Sequence, residues 1–145
     1  MKQFLIAIFL GALSLNAQTP ATSTPAPSPS LVKDERIYEL RTYHTVEGKL
    51  EDVHKRFREH TMKIFTKHHM KVVGFWGPVD KEKGSENTLI YILEFPSRDA
   101  MKAAWDAFRK DPEWQAVSKA SEVNGKIMLK ADSVVMKATD YEKIK

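Results

Sequence analysis

Thr88-Leu89-Ile90-Tyr91-Ile92-Leu93-Glu94-Phe95 is the stretch on which the fold turns. Read as a strand, it points Leu89, Tyr91, Leu93 and Phe95 to one side and Ile90 and Ile92 to the other. Both sides are apolar, so both need cover. Val72-Val73-Gly74-Phe75-Trp76 has the same property. The remaining sequence offers two substantial helical stretches, enough to shield one side of a small sheet. A patch built from two such strands exceeds the roughly 300 to 600 Å² that a monomer ordinarily leaves exposed, so the pattern predicts that two copies pair sheet on sheet.

Working outward, the periodicity alternates between strand and helix. Arg36-Ile37-Tyr38-Glu39-Leu40-Arg41-Thr42-Tyr43 is rich in β-branched and aromatic residues and is broken by Glu47-Gly48. Leu50, Val53, Phe57, Thr61, Ile64 and Phe65 then recur at three- and four-residue intervals, which predicts one amphipathic helix over 49–67. A second strand over Met70 to Pro78 leads through the polar loop Lys81 to Glu86 into the third, Asn87 to Phe95. Pro96 ends it, and Ser97 is placed to cap a helix carrying Met101, Ala104, Trp105 and Phe108. Asp111-Pro112 sets a second cap and a first-turn proline ahead of Trp114 and Val117, so this helix is broken. Asn124-Gly125 turns the chain into a last strand within Ile127 to Met136. The order is βαββαβ, a ferredoxin-like α+β fold with a four-stranded antiparallel sheet and its helices on one face.

Composition bounds the rest. At 145 residues, 42% hydrophobic and 29% charged, the chain holds one domain plus an extension. Met1-Lys2-Gln3, an apolar run from Phe4 to Leu13 and Ser14-Leu15-Asn16-Ala17 have the three-part layout of a secretory signal over 1–17, too short to span a bilayer. The expectation is a periplasmic or secreted protein with no stable membrane insertion after cleavage. Residues 18–33 are rich in Pro, Ser and Thr and read as a linker; 34–141 is the domain and 142–145 a tail. The chain has no cysteine, which excludes disulfides, thiolate metal sites and a thiol nucleophile. Without Lys2 there are 22 basic and 19 acidic residues, a net charge of +3, and no basic stripe interleaved with aromatics, so nucleic acid is not an expected partner.

The motifs Tyr38-Glu39-Leu40-Arg41-Thr42-Tyr43, Gly74-Phe75-Trp76, Asn87, Asp111-Pro112-Glu113-Trp114 and Thr139-Asp140-Tyr141, in this order over about residues 36 to 141, resemble the NIPSNAP domain. The resemblance implies membership of the dimeric α/β barrel superfamily, in which two such sheets pack face to face, so it leads to the same homodimer as the strand pattern. Relatives in that superfamily include cofactor-independent monooxygenases and muconolactone-type isomerases, whereas NIPSNAP members are mostly without an assigned reaction.

Reactive groups are few. His54 lies beside Val53 and Phe57, near the helix face that meets the sheet, and is the candidate proton shuttle; a packed, hydrogen-bonded histidine is the commoner outcome there. Trp76, Tyr91 and Trp105 are candidate walls of a ligand cavity between sheet and helices, although aromatics at this spacing are more often plain core. Tyr38 and Arg41 lie on opposite faces of the first strand, one toward the helix side, with an inter-subunit ion pair the expected fate of Arg41. No His-x-x-x-His or Glu-x-x-His occurs, so no metal site is expected, and nothing in the pattern calls for a cofactor. Two functions follow: an exported homodimeric module binding a small apolar molecule or a protein, or a cofactor-independent monooxygenase- or isomerase-like enzyme for an aromatic or quinone-like substrate.

Overall fold

The computed structural model describes residues 35–141; the signal expected over 1–17, the linker expected over 18–33, Asp34 and the expected tail at 142–145 lie outside the described residues. Four strands, β1 (Ile37–Thr45), β2 (Lys71–Trp76), β3 (Thr88–Phe95) and β4 (Met128–Lys137), form one sheet in the order β2-β3-β1-β4. Every neighbouring pair is antiparallel. Between β1 and β2 run α1 (Leu50–Arg56), a π-helical segment (Phe57–Thr61) and α2 (Met62–Lys67); between β3 and β4 run α3 (Arg98–Lys110) and α4 (Pro112–Ser121). This is the predicted βαββαβ arrangement, with the second helix broken where Asp111-Pro112 breaks it.

Strand alternation divides the sheet. Arg41 lies opposite both Tyr91 and Ser133, so Glu39, Arg41 and Tyr43 share a face with Leu89, Tyr91, Leu93 and Phe95. That face meets the helices, and Tyr91, Leu93 and Phe95 are all but inaccessible. The opposite face carries Tyr38, Leu40, Ile90, Ile92, Val134 and Met136, and among the described residues no helix lies on it. Ile90 and Ile92 are half-buried there, and Val134 is 54% exposed.

A bulge between Val72 and Gly74 shifts the register of β2 against β3. Beyond it Phe75 turns to the helix side, where its ring meets Phe57 at 5.4 Å and Tyr91 at 5.5 Å. Trp76, the next residue, therefore points to the open side. Its ring lies over Gly74, where an added Cβ would come within 2.8 Å of the indole.

The single helix expected over 49–67 contains a π turn. In a uniform α-helix, residues eight apart are about 80° out of line. The wider turn over Phe57–Thr61 removes part of that offset. Phe57 and Phe65 consequently both pack on Tyr91, at 5.4 and 6.0 Å. The Thr61 hydroxyl donates to the Arg56 carbonyl at 3.2 Å inside this turn.

α2 ends with Met70 N–H donating to the Phe65 carbonyl at 2.9 Å, a closure that requires left-handed backbone at His69, φ 56°. His69 pays a steric penalty that glycine avoids. His69→Gly is expected to stabilise the fold by about 0.5 to 1 kcal/mol, read as a higher urea midpoint at unchanged slope.

Candidate functional site

The three aromatics expected around one cavity, Trp76, Tyr91 and Trp105, and the further ligand-binding candidate Tyr38 are divided between the two faces of the sheet. Tyr91 is wholly buried and Trp105 is 9% exposed, both in the core on the helix side. Tyr38 and Trp76 belong to the opposite face, Tyr38 buried at 5% exposure and Trp76 with 49% of its surface exposed. The bulge in β2 is the reason for Trp76, and the inward placement of Glu39 is the reason for Tyr38.

At the centre of the helix-side interior sits a polar cluster rather than a void. The Glu39 carboxylate accepts from Trp105 Nε1 at 2.5 Å, from Ser133 Oγ at 2.5 Å and from Arg41 Nη1 at 3.0 Å. The Arg41 guanidinium lies 4.7 Å from the Trp105 ring centre and 5.5 Å from that of Tyr43, whose hydroxyl accepts from Tyr91 at 2.8 Å. The inter-subunit ion pair expected of Arg41 is thus replaced by one with Glu39, two residues away on the same strand face. Burial, then the neighbouring Tyr43, pushes the Tyr91 hydroxyl well above its ordinary value, so it stays neutral and acts as a donor. This cluster ties β1, β3, β4 and α3 together.

His54 does border a recess. About 320 Å³ opens between the first helix and edge strand β2, lined by His54, Phe57, Arg58, Met62, Phe75 and Leu89. The walls are apolar apart from His54 and Arg58, and the imidazole is half-buried. Strand spacing had no means of placing Phe75 here, because the bulge decides which side it takes.

The Asp111-Pro112-Glu113-Trp114 motif proves to be a joint. Asp111 Oδ1 accepts from the Glu113 N–H at 2.8 Å and so caps α4, while Oδ2 accepts from His68 Nε2 at 2.6 Å and Lys67 Nζ at 2.8 Å. The end of α2 is thereby pinned to the α3–α4 corner, with Trp114 stacked on Phe108 at 4.5 Å. Hydrogen bonds from Lys67 and His68 hold the Asp111 carboxyl well below the usual carboxylate range. A group depressed in this way contributes its stability above the unfolded value, near pH 4, and loses it as pH falls toward the folded one. Asp111→Asn keeps a capping oxygen but no charge. Its melting temperature is expected to fall by several degrees at pH 7, with the gap to the parent protein closing as both are acidified below about pH 4.

Among the described residues no three His, Cys, Asp or Glu side chains gather as metal ligands, and no helix is long and apolar enough to cross a membrane.

The fold and these motifs agree with the comparisons. The NIPSNAP family model matches residues 38–143. A NIPSNAP-like domain protein from Burkholderia xenovorans superposes with a TM-score of 0.66 at 12% identity, over 76% of this chain and 90% of that one. A NIPSNAP family protein of unknown function from Agrobacterium tumefaciens gives 0.66 at 21% identity, over 78% and 96%. A second NIPSNAP family protein from the same organism gives 0.65 at 20%, over 76% and 99%. At these identities the superpositions establish the fold. No curated protein matches the chain. With the family model spanning residues 38–143, which hold all the described helices and all but the first residue of the sheet, the chain belongs to the NIPSNAP family.

Proposed function

We propose that this NIPSNAP protein is an exported homodimeric binding module. The carrying observation is the open sheet face, where Leu40, Ile90, Ile92, Trp76, Val134 and Met136 line up with no helix of the described chain over them. Burying such a face against a second copy removes apolar surface from water, at about 25 cal/mol per Å². Export is the reading of the N-terminal signal pattern.

Each subunit then offers the recess beside His54 to a small apolar molecule. Its volume suits a compact ligand, and its rim supplies an imidazole and a guanidinium for orientation. Native mass spectrometry of freshly purified protein, followed by a thermal screen of neutral apolar compounds, tests this. A co-purifying mass or a saturable rise in melting temperature is the expected result; silence in both removes small-molecule binding from the account.

A second reading keeps His54 as a proton shuttle for a cofactor-independent monooxygenase- or isomerase-like reaction on an aromatic or quinone-like substrate. His54 at the edge of an apolar recess favours it. The separation of Trp76 from Tyr91 and Trp105 weighs against the cavity it invoked. Turnover of such a substrate, lost in His54→Gln with binding retained, distinguishes the enzyme from the module.

A further inference from the structure

On the other side of the first helix lies a cleft of about 560 Å³ between α1 with its π turn and α4, closed at one end by the turn into β4. It shares no lining residue with the His54 recess. Its floor includes Arg56, which is 6% exposed. The Arg56 guanidinium donates from Nη1 to the Ser121 hydroxyl at 3.2 Å and lies 5.3 Å from the Trp114 ring centre. Its Nε is buried without a hydrogen-bond partner, and no carboxylate among the described residues pairs with it. Burial, the largest influence, pulls Arg56 below the ordinary guanidinium value, with Tyr43, Glu122 and Tyr91 acting the other way.

A buried cation with no carboxylate in contact, Glu122 acting on it only from beyond ion-pair distance, is a costly element of a fold, and an anion from outside the chain would offset that cost. Even the less buried Arg41, with 18% of its side chain exposed, is given a carboxylate at 3.0 Å, whereas Arg56 is not.

The lining specifies the missing partner. Lys49 is paired with Asp52 at 3.0 Å and Glu59 is the second acid of the lining, so the cations Lys49, Lys55 and Arg56 exceed the acids by one charge. Lys55 and Arg56 are the two cations with no acid in contact. Two carboxylates on the walls disfavour a doubly charged phosphate, whereas one negative charge is matched. Val117, Val123 and Ile127 supply an apolar wall for the rest of the molecule.

We propose that the cleft between α1 and α4 binds a monocarboxylate with an apolar body, its carboxylate seated on Arg56 and its hydrocarbon against Val117, Val123 and Ile127. This site is additional to the His54 recess and does not rest on it.

Octanoate, 1-octanol and inorganic phosphate are the probes, titrated calorimetrically into the purified full-length protein. The parent protein is expected to bind octanoate saturably, and 1-octanol at least about tenfold more weakly, because the alcohol leaves the guanidinium unpaired. Arg56→Met is expected to abolish octanoate binding while leaving the unliganded melting temperature equal or higher, since it removes an unpaired buried charge. A purely structural arginine would instead lower it. Ala120→Glu, on an exposed position of α4 at the cleft, leaves Arg56 in place and is expected to weaken octanoate at least about tenfold by presenting a competing carboxylate. Equal binding of octanoate and octanol, octanoate bound normally by Arg56→Met, a lowered melting temperature in that variant, competition by phosphate at matching concentration, or no saturable binding would each overturn the proposal.

Discussion

Ile92→Glu is expected to separate the proposed dimer into folded single subunits. Ile92 is central in β3, facing Leu40 of β1 across one ladder and Gly74 of β2 across the other, on the open side of the sheet. In a two-fold pairing each copy contributes the substitution, so two carboxylates meet in an apolar seam with no cation opposite. Association is expected to weaken by about 100-fold or more, corresponding to roughly 3 kcal/mol. The single subunit should tolerate the change, because Ile92 is half-buried before association and packs on no helix. Far-UV circular dichroism therefore stays as in the parent while the sedimenting mass halves. Lys102→Glu, on the exposed side of α3, is the matched control and should leave the mass unchanged.

The second large effect concerns the interior. Glu39→Ala leaves Arg41 without its carboxylate and takes the acceptor from Trp105 Nε1 and Ser133 Oγ. Glu39 is buried but Arg41 keeps 18% of its side chain in solvent, so the loss falls at the lower end of the cost of breaking a buried pair, about 3 kcal/mol, still a large share of the stability of a domain this size. Urea unfolding at pH 7 should show the midpoint falling accordingly. Glu39→Gln, which keeps an acceptor oxygen and the shape, should lose less. Glu39→Ala combined with Arg41→Ala should be less destabilised than the sum of the two single variants, because the orphaned guanidinium is gone. Simple additivity would mean that the two side chains act separately.

These two predictions also mark what the sequence carried and what it did not. The apolar doublet of faces in β3 was legible because alternation there is unbroken, and with it the element order and the covered and open sides. Ser97 and Asp111 were legible as caps because a short oxygen-bearing side chain ahead of a helical run has one use there. β1 was harder to orient. Its inward face carries Glu39 and Arg41, its outward face Tyr38 and Leu40, so hydrophobicity alone points the strand the wrong way. Only the tertiary partners Trp105 and Ser133 make the inward carboxylate affordable, and they lie 66 and 94 residues downstream.

Two local irregularities hid the rest. A bulge changes which side of β2 a residue takes without changing composition, and it moved Phe75 to the His54 recess and Trp76 away from it. The π turn preserves the three- and four-residue spacing that defines an amphipathic helix, so nothing in the pattern announces it. Arg56 was within reach. It follows Val53 by three residues and therefore falls on the buried stripe, where a charged side chain asks for a partner.

Sedimentation equilibrium of the purified protein across micromolar concentrations measures whether the open sheet face pairs two copies. The mass of two subunits is expected at tens of micromolar, shifting toward one only on dilution or in Ile92→Glu. A mass of one subunit throughout that range would contradict that pairing.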